Sequence, residues 1–487
     1  MDDTRAVAAA PASAPSLDVP VDVMVEICQK LVKGQTIRPS TLGPEATSKP
    51  DTWEETLEHF AALGNIARSS PRLEAIVSPF LYKSVKVSMN NPAAFVDLVR
   101  RLTEFPEFGA AVKDVVIEEG KEKSASLTPA HLDYIYEQAT KAGLRWLPTT
   151  DDQRMLEAGW VLIDLLLVRI PKVQKLEIAV SRLYSPDVKA DFGHRLPDSV
   201  ILDSLKFLAA HPPNDAYPDM SKKSLVALLR HTPALTHLQI GYCERQDCGG
   251  IIQTPLPKLR DLHLAEGPAV DCADLAKFCP NLERLRIGED SRNVRILATD
   301  TMFQTLDYVR TLDPKEMPES LPPWIANRDF SLERLLHNLL PLAPTLRELD
   351  IDWDVMAVTN TECFEILSEF RALRHLRLVF GRWPVGENER IVNTLPPVLR
   401  TLCLGGQGIR VEEIGQLVRA RMREGKLPVF ELFEYTPVSQ EMEPDLPLQL
   451  RRMFRGTQVD CSERPNPPLD WTPYRYICND LTGRPNR

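Results

Sequence analysis

The chain has 487 residues, of which 43% are hydrophobic and 26% charged, and a net charge of −10. This is the composition of a globular protein long enough to bury an extensive core, and its acidic balance argues against nucleic-acid binding, which calls for basic patches. No stretch reaches the roughly 18 apolar residues needed to span a bilayer; the longest candidate, residues 160–168, is interrupted by Asp164.

Residues 1–16 are rich in Ala, Pro and Ser and are expected to be disordered. A helix is predicted next. Val19, Val23, Ile27 and Leu31 recur every fourth residue, Pro20 suits a first helical turn, Asp22 and Glu26 favour the positive end of the helix dipole, and Gly34 is a stop signal. By spacing alone, the stripe is a face packing on its own core.

Residues 32–56 cluster Gly, Pro, Ser and Thr and read as a loop. A second helical stretch follows over residues 63–82, through Ile66, Pro71, Leu73 and Pro79. The order apolar–Pro–x–acid with apolar residues at four-residue intervals, followed by this second stretch, resembles an F-box over residues 17–88. The resemblance implies an exposed apolar helical surface, with Pro20, Val23, Ile27, Leu31, Ile66 and Leu73 docking a Skp-type adaptor that holds a cullin–RING ubiquitin ligase. The F-box-like helical domain is placed at 17–81, interrupted by the 32–56 insertion.

From residue 82 another unit takes over: an apolar residue, two variable, an apolar, one variable, an apolar. Clear copies begin at Leu235, Leu259, Leu282, Leu346, Leu373 and Leu399, five of them with a Pro two positions ahead, and weaker copies at Tyr82, Val112, Val173, Leu202, Phe303 and Phe430. Spacings of 24 and 23 residues from Leu235 to Leu282, and of 27 and 26 from Leu346 to Leu399, fall in the leucine-rich-repeat range. A large insertion is expected over 288–330. Helices are predicted over 221–230, 271–278, 361–370 and 411–423, each ending before a Pro or loop that leads to the next strand. The units resemble leucine-rich repeats over 82–436, although the family's Asn ladder is represented only by Cys243. The expected fold is α/β: a short helical domain followed by an irregular solenoid with parallel strands on its concave face and helices on its convex face. A non-repeat α/β domain with coincidental Leu spacing is the competing reading. Residues 437–487 are Pro-rich and read as a cap, through Trp471, Tyr474 and Tyr476, or as a tail.

Little in the sequence points to catalysis or cofactors. Gly249-Gly250 and Gly405-Gly406 lack the flanking pattern of a phosphate loop, and no nucleophile elbow or metalloprotease helix occurs. Cys243 and Cys248 are spaced too widely for a zinc pair, and Cys272 and Cys279 read as buried thiols. The expectation is a protein that is not an enzyme and holds no metal or cofactor. Nine cysteines without paired spacing, and an opening without a basic-then-apolar signal, suggest free thiols in a reducing compartment, cytoplasmic and/or nuclear.

The variable strand positions are the candidate partner surface: His237, Gln239, Asp261, His263, Arg284, Arg286, Glu348, Asp350, Asp352, His375 and Arg377. Arg284 and Arg286 form a basic spot, and Glu348, Asp350 and Asp352 an acidic one. These side chains either meet a partner or pair with one another across strands. Trp353 and Trp383 read as contact anchors or as packing residues. Together the resemblances imply a non-catalytic substrate-recognition subunit of a Skp–cullin–F-box ubiquitin ligase, binding the adaptor and a protein target but neither nucleic acid nor membrane. The alternative is a leucine-rich-repeat interaction scaffold unconnected with ubiquitin, in which residues 17–80 cap the solenoid.

Overall fold

The computed structural model describes residues 20–33, 62–118, 127–146, 150–179, 192–211, 222–240, 252–265, 275–288, 332–357, 362–383, 386–407, 411–427, 432–436, 452, 454 and 460–463. The chain divides into two compact units, Met1–Ser84 and Val85–Arg487.

In the first unit, helix Val21–Lys33 starts directly after Pro20, whose carbonyl accepts the Met24 N–H at 3.1 Å. Residues 62–69 are helical, and helix Pro71–Leu81 follows at once. Ser70 caps this last helix by accepting the Leu73 N–H at 3.2 Å, and Pro71 occupies the first turn, where no N–H is required. Cys28, Leu63 and Val77 are fully buried against one another, with Ile66, Ala67, Phe80 and Leu81 packed around them.

The second unit is built on one open sheet whose twelve described strands lie side by side in chain order. They are β1 Ser84–Ser88, β2 Asp114–Glu118, β3 Lys175–Ala179, β4 Phe207–His211, β5 His237–Ile240, β6 Asp261–Ala265, β7 Arg284–Gly288, β8 Glu348–Ala357, β9 His375–Arg382, β10 Thr401–Gln407, β11 Leu432–Thr436 and β12 Asp460–Glu463. Every pairing from β2 to β12 is parallel. Parallel neighbours need a crossover, and helices supply many of the crossovers. Helices Pro92–Glu104 and Pro129–Lys141 both pack on Asp151–Arg169, while Asn388–Asn393 packs on Val411–Arg423.

The period of two along each strand divides the sheet into faces. The Leu row (Leu208, Leu238, Leu262, Leu285, Leu349, Leu376, Leu402) is buried, as are Ile240, Leu264, Ile287, Ile351, Leu378 and Leu404 two residues on. The residues between them face the other way. Taking roughly 25 cal/mol per Å² of apolar surface, each fully buried Leu contributes about 2 kcal/mol before chain entropy is counted.

Several sequence expectations shift. The copy placed at Leu202 sits three residues later in register: Leu205 leads into β4, and Leu208 and Ala210 occupy the two buried rows. Strand β7 pairs directly with β8, and the copy expected at Phe303 lies outside the described residues. The sheet also runs past residue 436, because β12 pairs with β11. Residues 362–369 form a 3-10 helix rather than an α-helix, and the expected helix over 271–278 is described only as the single turn Leu275–Phe278. Val411–Arg423 is helical over its full expected length. Trp471, Tyr474, Tyr476, Cys243, Cys248 and Cys272 lie outside the described residues.

Candidate functional site

Two surfaces bear on function. The first is the side of helix Val21–Lys33 that its own unit does not cover. Met24 and Cys28 turn inward and are 6% and 0% exposed, whereas Val23 and Ile27, also four residues apart, are 45% and 40% exposed. The buried pair is therefore offset by one residue from the expected stripe, of which Val23 and Ile27 face solvent and Val19 lies outside the described residues. Pro20 is exposed, Leu73 is half-buried, and Ile66 packs against the Cys28–Leu63–Val77 cluster. Leu31 belongs to the helix, but its side chain is outside the described residues, as is that of Trp353 in β8.

The second surface is the polar face of the sheet. His237, Asp261, Arg284, Glu348 and His375 are successive partners in one row, and Gln239, His263, Arg286, Asp350 and Arg377 in the next. All eleven candidates are thus brought together, Asp352 lying two residues beyond Asp350. They do not form separate basic and acidic spots. Arg284 pairs with Asp261 at 2.9 Å and Arg286 with Glu348 at 2.7 Å. Arg377 reaches Asp350, its direct register partner, at 2.9 Å and Asp352, on the diagonal, at 2.6 Å. Direct and diagonal contacts alternate along the sheet, so each charge meets its opposite. Burial opposes ionisation of Arg377, but the two carboxylates more than offset it and hold the guanidinium well above its ordinary range.

The histidines of this face are set by the same surroundings. His263 is 8% exposed; burial, aided by the positive charge of Arg286, pushes it down to about 3, so the ring is neutral at ordinary pH. His237 is lowered chiefly by burial, against the pull of Asp261, and its Nδ1 lies 2.8 Å from the Thr236 hydroxyl. His375 Nδ1 lies 3.0 Å from the Thr401 hydroxyl. Trp383 is a packing residue: it is 1% exposed, stacks on Phe364 at 5.7 Å, and donates from Nε1 to the Gly405 carbonyl at 2.7 Å. Its neighbour Gly406 has φ +131°, and a Cβ there would strike the Phe380 carbonyl. Gly405-Gly406 thus serves a tight backbone approach.

A third group was not singled out from the sequence. Asp164, fully buried in helix Asp151–Arg169, accepts the Gly193 N–H at 2.6 Å and lies 3.6 Å from Arg195. Arg195 also meets Glu157 at 3.1 Å, and Glu157 accepts from Trp146 Nε1 and Gln153 Nε2, each at 2.8 Å. Burial pushes the Asp164 carboxyl up to about 7 despite the Gly193 N–H and Arg195. The signal was there: an acid inside the apolar run 160–168. The group ties residues 192–196 to the helix through a polar network.

Among the described residues no group of three or more His, Cys, Asp or Glu is placed to hold a metal ion, and no helix is long and apolar enough to cross a membrane. No protein-family model matches the chain, and no curated protein does.

Proposed function

We propose that this chain is an F-box protein with a degenerate leucine-rich-repeat solenoid, the non-catalytic subunit that brings a protein target to a Skp–cullin–F-box ubiquitin ligase. One observation carries the reading: helix Val21–Lys33 gives Met24 and Cys28 to its unit's core and leaves Val23 and Ile27 in solvent. Apolar side chains at helical spacing, left uncovered by their own unit, suit the seam of a helix-to-helix contact. In such a contact a few anchors dominate, and truncating one typically costs over ~1 kcal/mol. Strands in chain order, buried Leu rows and a polar sheet face are what a repeat array would offer a target. In this scheme the protein supplies proximity: a tethered target sees the ligase at raised effective concentration.

The test is co-purification with a Skp-type adaptor, beside a Val23→Asp, Ile27→Asp double variant. Both positions are solvated, so the variant is expected to stay folded by circular dichroism and to lose the adaptor. Cys28→Asp, by contrast, would bury a carboxylate and unfold the unit. A folded wild-type chain that fails to retain the adaptor would end the recruiter reading and leave a repeat scaffold.

A further inference from the structure

The residue just before each of the strands β2 to β10 belongs to a row of its own. Its N–H donates to the carbonyl of the equivalent residue one strand back, at 2.7–2.9 Å, without a break from Lys113 before β2 to Arg400 before β10. Six of the nine positions carry cations: Lys113, Lys206, Arg260, Arg347, Arg374 and Arg400. Gln174 and Thr236 are neutral, and Glu283 is the one acid. All six cations except the half-buried Lys113 are exposed. In a chain of net charge −10 such a bias is a local feature rather than a reflection of composition.

The row differs from the neighbouring polar face, where the charges neutralise one another. Here Glu283 lies 3.5 Å from both Arg260 and Arg347, so a single carboxylate is shared between two guanidiniums whose side chains remain 65% and 58% exposed. Toward β10, Arg347, Arg374 and Arg400 follow one another on consecutive strands, all three exposed, and the residue that precedes β11 is the acid Glu431. The turns add exposed Lys172, Lys258 and Arg371 against Asp203 and Glu369. Strands about 4.8 Å apart make the row roughly 40 Å long, which an extended peptide of about a dozen residues would cover.

We propose that this strand-entry row is a docking rim for an extended acidic polypeptide segment, with the exposed Arg347, Arg374 and Arg400 as its longest run of cations on consecutive strands. A peptide bearing spaced carboxylates fits a spaced, interrupted row. A nucleic-acid strand fits less well, because its continuous line of phosphates would also face Glu283 and the neutral Gln174 and Thr236, on a chain of net charge −10. The inference rests on the recruiter reading only for whose segment it is; the rim's charge stands without it.

The test is fluorescence anisotropy on the full chain with a labelled peptide of about a dozen alternating Glu and Ser residues. The same peptide with Gln for Glu and a single-stranded DNA oligonucleotide of similar length serve as comparators. The acidic peptide should bind, its affinity should fall as salt rises from about 0.1 to about 0.5 M, and the Gln peptide should not bind. The variant Arg347→Gln, Arg374→Gln, Arg400→Gln should weaken binding about tenfold. If that variant melts early, Arg374→Gln alone carries the test, with a loss of about threefold. No binding of the acidic peptide, or binding that the variants leave unchanged, overturns the proposal; so does DNA binding tighter than peptide binding that the variants abolish, which makes the rim a nucleic-acid site. Adaptor retention, read through Val23 and Ile27, fails or succeeds separately.

Discussion

Replacing Arg377 by Met tests whether the polar face of the sheet is a structural lattice. The guanidinium is 11% exposed and bridges two carboxylates that are 22% and 17% exposed. Met fills most of the aliphatic volume, so little packing is lost, but Asp350 and Asp352 lose the cation that bridges them. Removing one partner of a fully buried pair costs about 3–5 kcal/mol, and an exposed pair contributes about 0–1. With the cluster mostly but not wholly buried, the expected loss is about 2–3 kcal/mol, read as a shift in the urea midpoint at unchanged slope. The triple variant Arg377→Met, Asp350→Asn, Asp352→Asn removes both carboxylates together with the cation and should recover to within about 1 kcal/mol of wild type. A loss below about 0.5 kcal/mol for Arg377→Met would mean that these are ordinary surface pairs. The side chains would then be free to meet a partner, and the lattice argument would be refuted.

Three further outcomes are expected. Asp164 takes up a proton more readily in the folded chain, at about 7, than at its ordinary 3.8. The folded state therefore holds the extra proton between these values, and stability is highest below the window and falls as pH rises through it. Asp164→Asn, which keeps an oxygen for the Gly193 N–H, should flatten that slope by up to about 4 kcal/mol in urea titrations at the two ends of the window, and an unchanged slope would contradict the assignment. Gly406→Ala should cost at least about 3 kcal/mol, because its Cβ meets the Phe380 carbonyl and lies 2.7 Å from Trp383 Nε1; Gly386→Ala, with φ +89° and nothing within 4 Å, should cost only about 1 by thermal melting. Cys279 and Cys363, whose thiols burial pushes up to about 12, should resist a disulfide reagent near about pH 8 until urea is added; prompt labelling of either would show it to be accessible.

The sheet was legible because one spacing repeats. Each Leu-x-x-Leu-x-Leu copy fixes a strand entry and two buried rows, and the six from Leu235 to Leu399, five of them with a Pro ahead, lead into β5 to β10. The same spacing misled at Leu202, because Leu202-x-x-Leu205-x-Phe207 fits the pattern as well as Leu205-x-x-Leu208-x-Ala210, and small Ala210 is a weak marker of a buried row. Residues 362–369 offered helical spacing but form a 3-10 helix, which advances about 2.0 Å per residue against 1.5 in an α-helix and suits a short link between long strands. The ion pairs were hidden by distance along the chain: Arg286 and Glu348 are 62 residues apart, yet β7 and β8 are neighbours. On the first helix, spacing alone put Val23 and Ile27 in the core, but the apolar pair Met24 and Cys28 beside them is buried instead.

Charge on this sheet obeys two rules one residue apart. Where a residue points across the sheet, its neighbours on both sides lie in register, and opposite charges there pay for their own burial by pairing, as Arg377 does with Asp350 and Asp352. Where a residue sits at the entry of a strand, the backbone bond to the previous turn is made but the side chain is largely in water, so like charges can repeat with little desolvation cost, as Arg347, Arg374 and Arg400 do. The face therefore keeps most of its electrostatic energy inside the fold, and the rim presents its cations to solvent and salt. Screening separates them: raising salt from about 0.1 to about 0.5 M should leave the Arg377 coupling nearly unchanged while weakening peptide binding at the rim. If both declined in proportion, the face would be as solvated as the rim, and the partner surface would have to be sought across both.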